Sequence, residues 1–258
     1  MRTLAAVLSA LCLLLPYDAS AAVKPKARRC PRTLAGCPDD GCSTGRAFDG
    51  GLNELKNIRD GDSRARGNAE VRTLQSMKDL PDPEHFVMGG SRDELQQLGE
   101  GTKVRVTAFL LTAKPGSSES CNCQLGQVAN TDNHLVLVSR ETVRRFPIRG
   151  HVNVEQWKAN LAKREEESVT AEFTPRVRLS HPNFTRAAVR QLILDAPQMA
   201  LPVRVTGLLM FDSAHFRQHG LARVNNWEIH PILALEFCSN AATCTANSDD
   251  GWVSLDAQ

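Results

Sequence analysis

Five β-rich runs separated by breakers, with one helical pattern between the third and the fourth, restrict the fold more than any other feature of this chain. Lys103 to Ala113 alternates Val104, Val106, Ala108 and Leu110 with polar neighbours, as a strand with one buried face requires, and Pro115-Gly116-Ser117-Ser118 ends it. His134 to Ser139 (HLVLVS) and Ser168 to Thr174 (SVTAEFT) are the second and third runs, and Pro175 closes the third. Between them a charged insertion at about residues 140–167 carries a helical pattern from Val154 to Glu167. Asn183 or Thr185 then caps a predicted helix with Ala188, Leu192 and Ile193 on one face, ending near Pro197. Val203 to Phe211 is the fourth run and Asn226 to Phe237 the fifth, where Pro231 predicts a bend or an unpaired position.

Three strands, a helix and two strands is the element order of the OB-fold, a small five-stranded barrel. The predicted fold class is therefore mainly β (α+β), with an OB-like barrel over residues 101–238 and a tail over 239–258. Residues 22–100 are rich in Gly, Pro, Asp and Arg with short apolar runs, which predicts a loosely structured N-terminal arm pinned by cysteines. Helical patterns interrupt it at Asn53 to Arg59 and at Asn68 to Lys78, where Val71, Leu74 and Met77 recur at helical spacing.

Ahead of the arm, Arg2, an apolar run from Leu4 to Leu15, Pro16 and the small residues Ala19-Ser20-Ala21-Ala22 have the three-part layout of a bacterial-type secretory signal over residues 1–21. The run is too short to span a bilayer. Cys12 lacks the preceding small residues of a lipoprotein cleavage site, and no later run has the length and apolarity of a transmembrane segment. The expectation is a soluble product, secreted or periplasmic, in an oxidising compartment. Cys30, Cys37, Cys42, Cys121, Cys123, Cys238 and Cys244 follow the signal. Their grouping suggests bridges local to the first three and to the last two, with the connectivity open, and the odd count leaves a free thiol, an intermolecular bond or a metal ligand. Cys121-Asn122-Cys123 is too tight for an easy mutual bridge and lacks the C-x-x-C spacing of a redox pair.

The stretch Asp132-Asn133-His134-Leu135-Val136-Leu137, together with Val205-Thr206-Gly207 through Phe211-Asp212 and then Glu228-Ile229-His230-Pro231-Ile232, resembles a broad group of exported bacterial proteins without an established activity. Their shared segments run D-x-H-L-V-L and V-T-G-x-x-x-F-D followed by E-[IL]-H-P. The resemblance spans about the C-terminal two thirds and implies an OB-like domain and export. The loop from Asp212 to Asn225 and the insertion after Ser139 depart from the group's spacing.

Asp132 and His134, two apart at a strand start, share a face, and Glu228 and His230 repeat that relation on the fifth run. Asp212 and His215 lie just past the fourth. Brought together, these six form a carboxylate and imidazole cluster suited to a divalent metal ion or to acid and base work. The competing readings are local: Asp132 and Asp212 as turn formers, His230 as a strand-end hydrogen bonder. Glu172, Arg176 and Arg178 form a second candidate, a polar stripe whose guanidiniums suit an anion, unless Pro175 breaks the alignment or the residues are a solvated face.

A single-strand nucleic-acid binder needs aromatic platforms among basic groups. Aromatics are only 5% of this chain, so nucleic acid is weakly supported as a partner, while the net charge of +2 neither demands nor excludes a polyanion. The favoured function is an exported binding or interaction module of unknown ligand or protein partner. The alternatives are a metal-dependent hydrolase, a nuclease or other phosphodiesterase, and a structural envelope protein.

Overall fold

The computed structural model describes residues 29–43, 48–149, 152–216, 218, 220–239 and 243–257. The secretory signal predicted over residues 1–21 lies outside the described residues. Seven strands form one sheet: β1 (Glu70–Arg72), β2 (Lys103–Pro115), β3 (Asn133–Val138), β4 (Val169–Phe173), β5 (Leu201–Phe211), β6 (Trp227–Cys238) and β7 (Trp252–Ser254). The strands β2 to β6 follow the order β2-β3-β4-β6-β5, and β5 pairs back with β2, so the sheet closes into a five-stranded barrel. The β4–β6 pair is parallel and the other barrel pairs are antiparallel. This is the OB-like barrel the element order predicts. Outside the barrel, β1 lies parallel to β2 and β7 antiparallel to β6.

Alternation fills the barrel. Val104 and Val106, Leu135 and Leu137, Ala171 and Phe173, and Trp227 and Ile229 alternate with outward neighbours and meet in one apolar core. Each such fully buried aliphatic or aromatic side chain contributes about 1.5–3 kcal/mol. The predicted helix between β4 and β5 follows the short α6 (Pro175–Arg178) and is α7 (Arg186–Asp195); Thr185 caps it by accepting from the Ala188 N–H, and Val189 and Ile193 enter the core. The charged insertion contains α4 (Arg140–Arg145) and α5 (Val154–Glu166). Arg164 of α5 is fully buried and donates to the carbonyls of Val143, Phe146 and Gln198, fastening the insertion to the connection after α7.

Pro231 falls where β6 slips against β5. Gly207 lies opposite Ile232 and Leu209 opposite Ile229, leaving His230 and Pro231 unpaired with β5, as the proline predicts. The His230–Pro231 peptide is cis.

The N-terminal region corrects the expectation of a loose arm. It contains α1 (Gly50–Lys56), α2 (Leu74–Lys78) and α3 (Asp93–Gln97), and it is packed on the barrel. Met77, Phe86 and Leu95 join the main core, while Ile58 and Ala65 pack on Leu208 and Leu233 of the barrel's outer face. A few widely spaced apolar anchors suffice, which is why composition concealed the docking. Val71, expected in a helix, is instead in β1, and α2 starts only after Thr73, whose hydroxyl accepts from the Ser76 N–H.

Cys30–Cys42 and Cys238–Cys244 are local bridges, as grouping suggests. Cys37 departs from that pattern and pairs with Cys123, 86 residues on, and Cys121 is the free, buried thiol among the described residues. No helix among the described residues is long and apolar enough to cross a membrane.

Candidate functional site

The alternation that sends Leu135, Ala171, Phe173, Trp227 and Ile229 into the barrel turns His134, Glu172, Glu228 and His230 to its outer face. Strand order then sets them side by side. His134 is paired with Glu172 across β3 and β4, and Thr170 with Glu228 along the parallel β4 and β6, which brings Glu172 beside His230. The polar face is buried because the arm and the loop after β2 cover it. Asn57 of the arm donates to the carbonyls of Asp39 and Cys121, the Ser120 hydroxyl donates to Asn53, and Cys37–Cys123 joins the two segments covalently.

His230 is the centre, with no exposed surface. Its Nδ1 is 3.2 Å from Glu228 Oε1 and 3.4 Å from Glu172 Oε2; its Nε2 is 3.5 Å from Asp132 Oδ2. Glu228 is held on its other oxygen by Arg223 at 3.2 Å and its Oε1 pairs with His230 Nδ1, so the tautomer with its hydrogen on Nδ1 donates to Glu228 and presents Nε2 as a lone pair. Asp132 Oδ1 accepts from Asn122 Nδ2 at 2.8 Å, which aims Oδ2 at the histidine. Three buried atoms, Asp132 Oδ2, Glu172 Oε2 and His230 Nε2, have no hydrogen-bond partner among the described residues; the first lies beside Nε2 and the second beside Nδ1 of the same ring.

The rim holds His134, whose Nδ1 is 3.2 Å from Glu172 Oε1, and Glu119, whose Oε1 is 3.9 Å from His134 Nε2. Lys56 reaches in from α1 and donates to Glu119 Oε2 at 2.7 Å. Burial, then the negative charge of Glu119, pushes Asp132 up to about 6. Burial, then Glu228, pushes Glu172 well above the carboxylate range. Burial opposes the charges of Glu119 and Lys56, yet each sustains the other, holding Glu119 at about 2 and Lys56 well above the usual amine range. Burial lowers His134 and raises the Cys121 thiol.

Asp212 and His215 border this cluster. Asp212 Oδ2 is 2.6 Å from His215 Nδ1 and accepts from Arg223 at 2.7 Å, and Arg223 bridges onward to Glu228. Burial opposes the Asp212 charge, but His215, Lys56 and Arg223 hold its carboxyl far below the usual range; the same Asp212 bond raises His215. All six predicted cluster residues are thus in one contiguous network, with strand adjacency on the outer face, rather than barrel closure, assembling it.

Glu172 belongs to this network too, not to a stripe with Arg176 and Arg178. The stripe is corrected: β4 ends at Phe173, Thr174 caps with its hydroxyl, and Pro175 opens the helical turn α6 (Pro175–Arg178). Arg176 donates to Asp39 and to the carbonyls of Cys37 and Pro38, and Arg178 to those of Ala129 and Thr131, so both guanidiniums hold arm and loop in place. Trp227 is core, with its indole N–H donating to the Pro81 carbonyl. Sequence reasoning missed Lys56, Glu119, Asn122 and Arg223. Only Glu119 and Asn122 carried a signal, being inside or beside the Cys121-Asn122-Cys123 loop.

The network holds several hydrogen-bonded carboxylates and imidazoles, with one ligand atom each from Asp132, Glu172 and His230 lying within 4.8 Å of one another. A wider groove of about 890 Å³, lined in part by Arg178, Arg186 and Arg190, lies apart from it along α7. No protein-family model, no curated protein and no solved structure matches the chain.

Proposed function

We propose that the chain is an exported binding module whose ligand is a cation, held on the outer face of the OB-like barrel beneath the arm. One observation carries this reading: Asp132 Oδ2, Glu172 Oε2 and His230 Nε2 are buried without a hydrogen-bond partner among the described residues, and Asp132, Glu172 and His230 each offer a ligand atom within 4.8 Å of the others. Lone pairs opposed in a low-dielectric interior repel unless a positive centre lies between them. The lining is acidic, with Glu119, Asp132, Glu172 and Glu228 beside Lys56 and Arg223, and a bound cation would replace the protons that burial favours on Asp132 and Glu172. Three disulfides among the described residues support an oxidising compartment, and the likeness to exported bacterial OB-like proteins belongs to the same proposal. Full enclosure of Asp132, Glu228 and His230 favours holding an ion over turning over a phosphodiester.

The test is thermal unfolding of disulfide-intact, chelator-dialysed protein with Mg²⁺, Ca²⁺, Mn²⁺, Co²⁺ or Zn²⁺. A binding cation at a hundredfold its Kd stabilises by about 2.7 kcal/mol, which raises Tm by roughly 5–10 °C in a chain of this size. A Tm that no member of the series moves would sink the proposal.

A further inference from the structure

We infer that the cation is a divalent transition metal of the zinc type, bound by Asp132 Oδ2, Glu172 Oε2 and His230 Nε2. This inference rests on the cation-binding reading and goes further by assigning the ligand atoms and the class of ion.

The type of free ligand atom decides the class. Glu228 has one oxygen on His230 and the other on Arg223, and Glu119 Oε2 is taken by Lys56. Asp132 Oδ1 is taken by Asn122. The buried centre around His230 offers two carboxylate oxygens and one imidazole nitrogen, and His134 Nε2 at the rim is a further buried nitrogen without a hydrogen-bond partner among the described residues. Calcium and magnesium take shells of oxygen, so an imidazole nitrogen among the ligands is poor for both. Imidazole nitrogen beside carboxylate oxygen suits zinc and its neighbours, with a fourth position filled from outside the protein.

Spacing agrees with type. Ligands about 2.1 Å from a tetrahedral ion lie about 3.4 Å from one another. His230 Nε2 and Asp132 Oδ2 are 3.5 Å apart, and the three residues each offer a ligand atom within 4.8 Å of the others; Glu172 Oε2, now 3.4 Å from Nδ1, has to turn towards Nε2 to join the set.

The surroundings are those of a ligating histidine. Such a residue donates its second ring N–H to a carboxylate, which fixes the tautomer and the ring plane. Glu228 accepts from His230 Nδ1 at 3.2 Å and is itself fixed by Arg223. Glu228 and Asn122 are therefore positioning residues, acting through His230 and Asp132.

The deciding experiment is isothermal titration of the chelator-dialysed, disulfide-intact chain with ZnCl₂, CoCl₂, MgCl₂ and CaCl₂, with the visible absorption of Co²⁺ recorded in parallel. Zinc and cobalt are expected to bind one per chain, at least about 100-fold more tightly than magnesium or calcium, and cobalt to give the intense visible bands of a four-coordinate site. Asp132→Asn keeps the oxygen that faces Asn122 and replaces only the one that faces the ion, so it is expected to fold and to weaken zinc about 100-fold. Glu228→Gln leaves all three ligands and is expected to cost about 10–100-fold. Magnesium or calcium binding as tightly as zinc overturns the zinc-type assignment while leaving a cation site. Zinc affinity unchanged in folded Asp132→Asn overturns the ligand set. No binding by any of the four ions overturns both this inference and the reading beneath it.

Discussion

At Gly207 the two long strands leave no room for a side chain. A Cβ there would press on the Pro231 carbonyl oxygen inside van der Waals distance and lie 2.5 Å from Ile229 Cγ2, both of them backbone or stiff β-branched atoms. Gly207→Ala is therefore expected to destabilise by about 3 kcal/mol, as overpacking of a rigid site does, and to lower the urea midpoint without changing the slope. A midpoint within experimental error of the wild type would show that β5 and β6 yield there. The same scale shows what one sequence discloses of the site. Asp132 with His134 and Glu228 with His230 were legible because a two-residue spacing on a strand fixes a common face. Lys56 was not, since a lysine in a short polar helix has no feature that distinguishes an inward from an outward pose. Its role depends on where α1 docks, which is a property of the fold and not of its neighbours in the chain.

Among elements, the strands and α7 were legible to within a few residues because periodicity and breakers agree there: Thr185 caps, Pro175 stops β4, Pro231 marks the slip. The arm was not, because β1 and α2 owe their form to the barrel they lie on. One contact binds three such segments. His181, in the turn after α6, has Nε2 at 2.5 Å from Asp60 of the arm and Nδ1 at 2.5 Å from Asp256 of the C-terminal turn, with its ring stacked on Phe184 at 4.6 Å. A carboxylate on each nitrogen requires both N–H groups. Burial opposes that charge, but the hydrogen bonds from Asp256 and Asp60 raise His181 above its ordinary 6.5. A raised folded-state pKa means that the contribution is complete below about 6.5 and is lost as pH climbs through the folded value. The stability difference between wild type and His181→Gln is thus expected to be largest near pH 6, at about 1 kcal/mol for a partly solvated pair, and to shrink towards pH 9. Paired urea melts at the two pH values check it; a difference that grows with pH would contradict the arrangement.

For the molecule as a whole, the bridges differ in what they constrain. Cys37–Cys123 closes 86 residues and Cys238–Cys244 only 6. Loop-closure entropy then assigns roughly 4.5 kcal/mol to the first and roughly 2 kcal/mol to the second. Replacing Cys37 and Cys123 together by serine is expected to lower stability by the larger amount, and replacing Cys238 and Cys244 by the smaller, with chemical denaturation under non-reducing conditions as the measure. Equal losses would mean that the unfolded chain does not feel the length of the loop. This bridge was illegible beforehand for a plain reason: seven cysteines admit many pairings, and only the docked arm brings Cys37 to the loop that carries Glu119.

Between Trp227 and Ile232, β6 answers to two environments at once. Trp227 and Ile229 line the apolar barrel, while Glu228 and His230 supply the polar layer beneath the arm. Because the alternation is one residue deep, an inserted or deleted residue would exchange the two sets, sending charge into the barrel and a tryptophan into the carboxylates. Length in this stretch is consequently fixed even where side chains are replaceable, and tolerance to added residues belongs to the connections that touch neither layer.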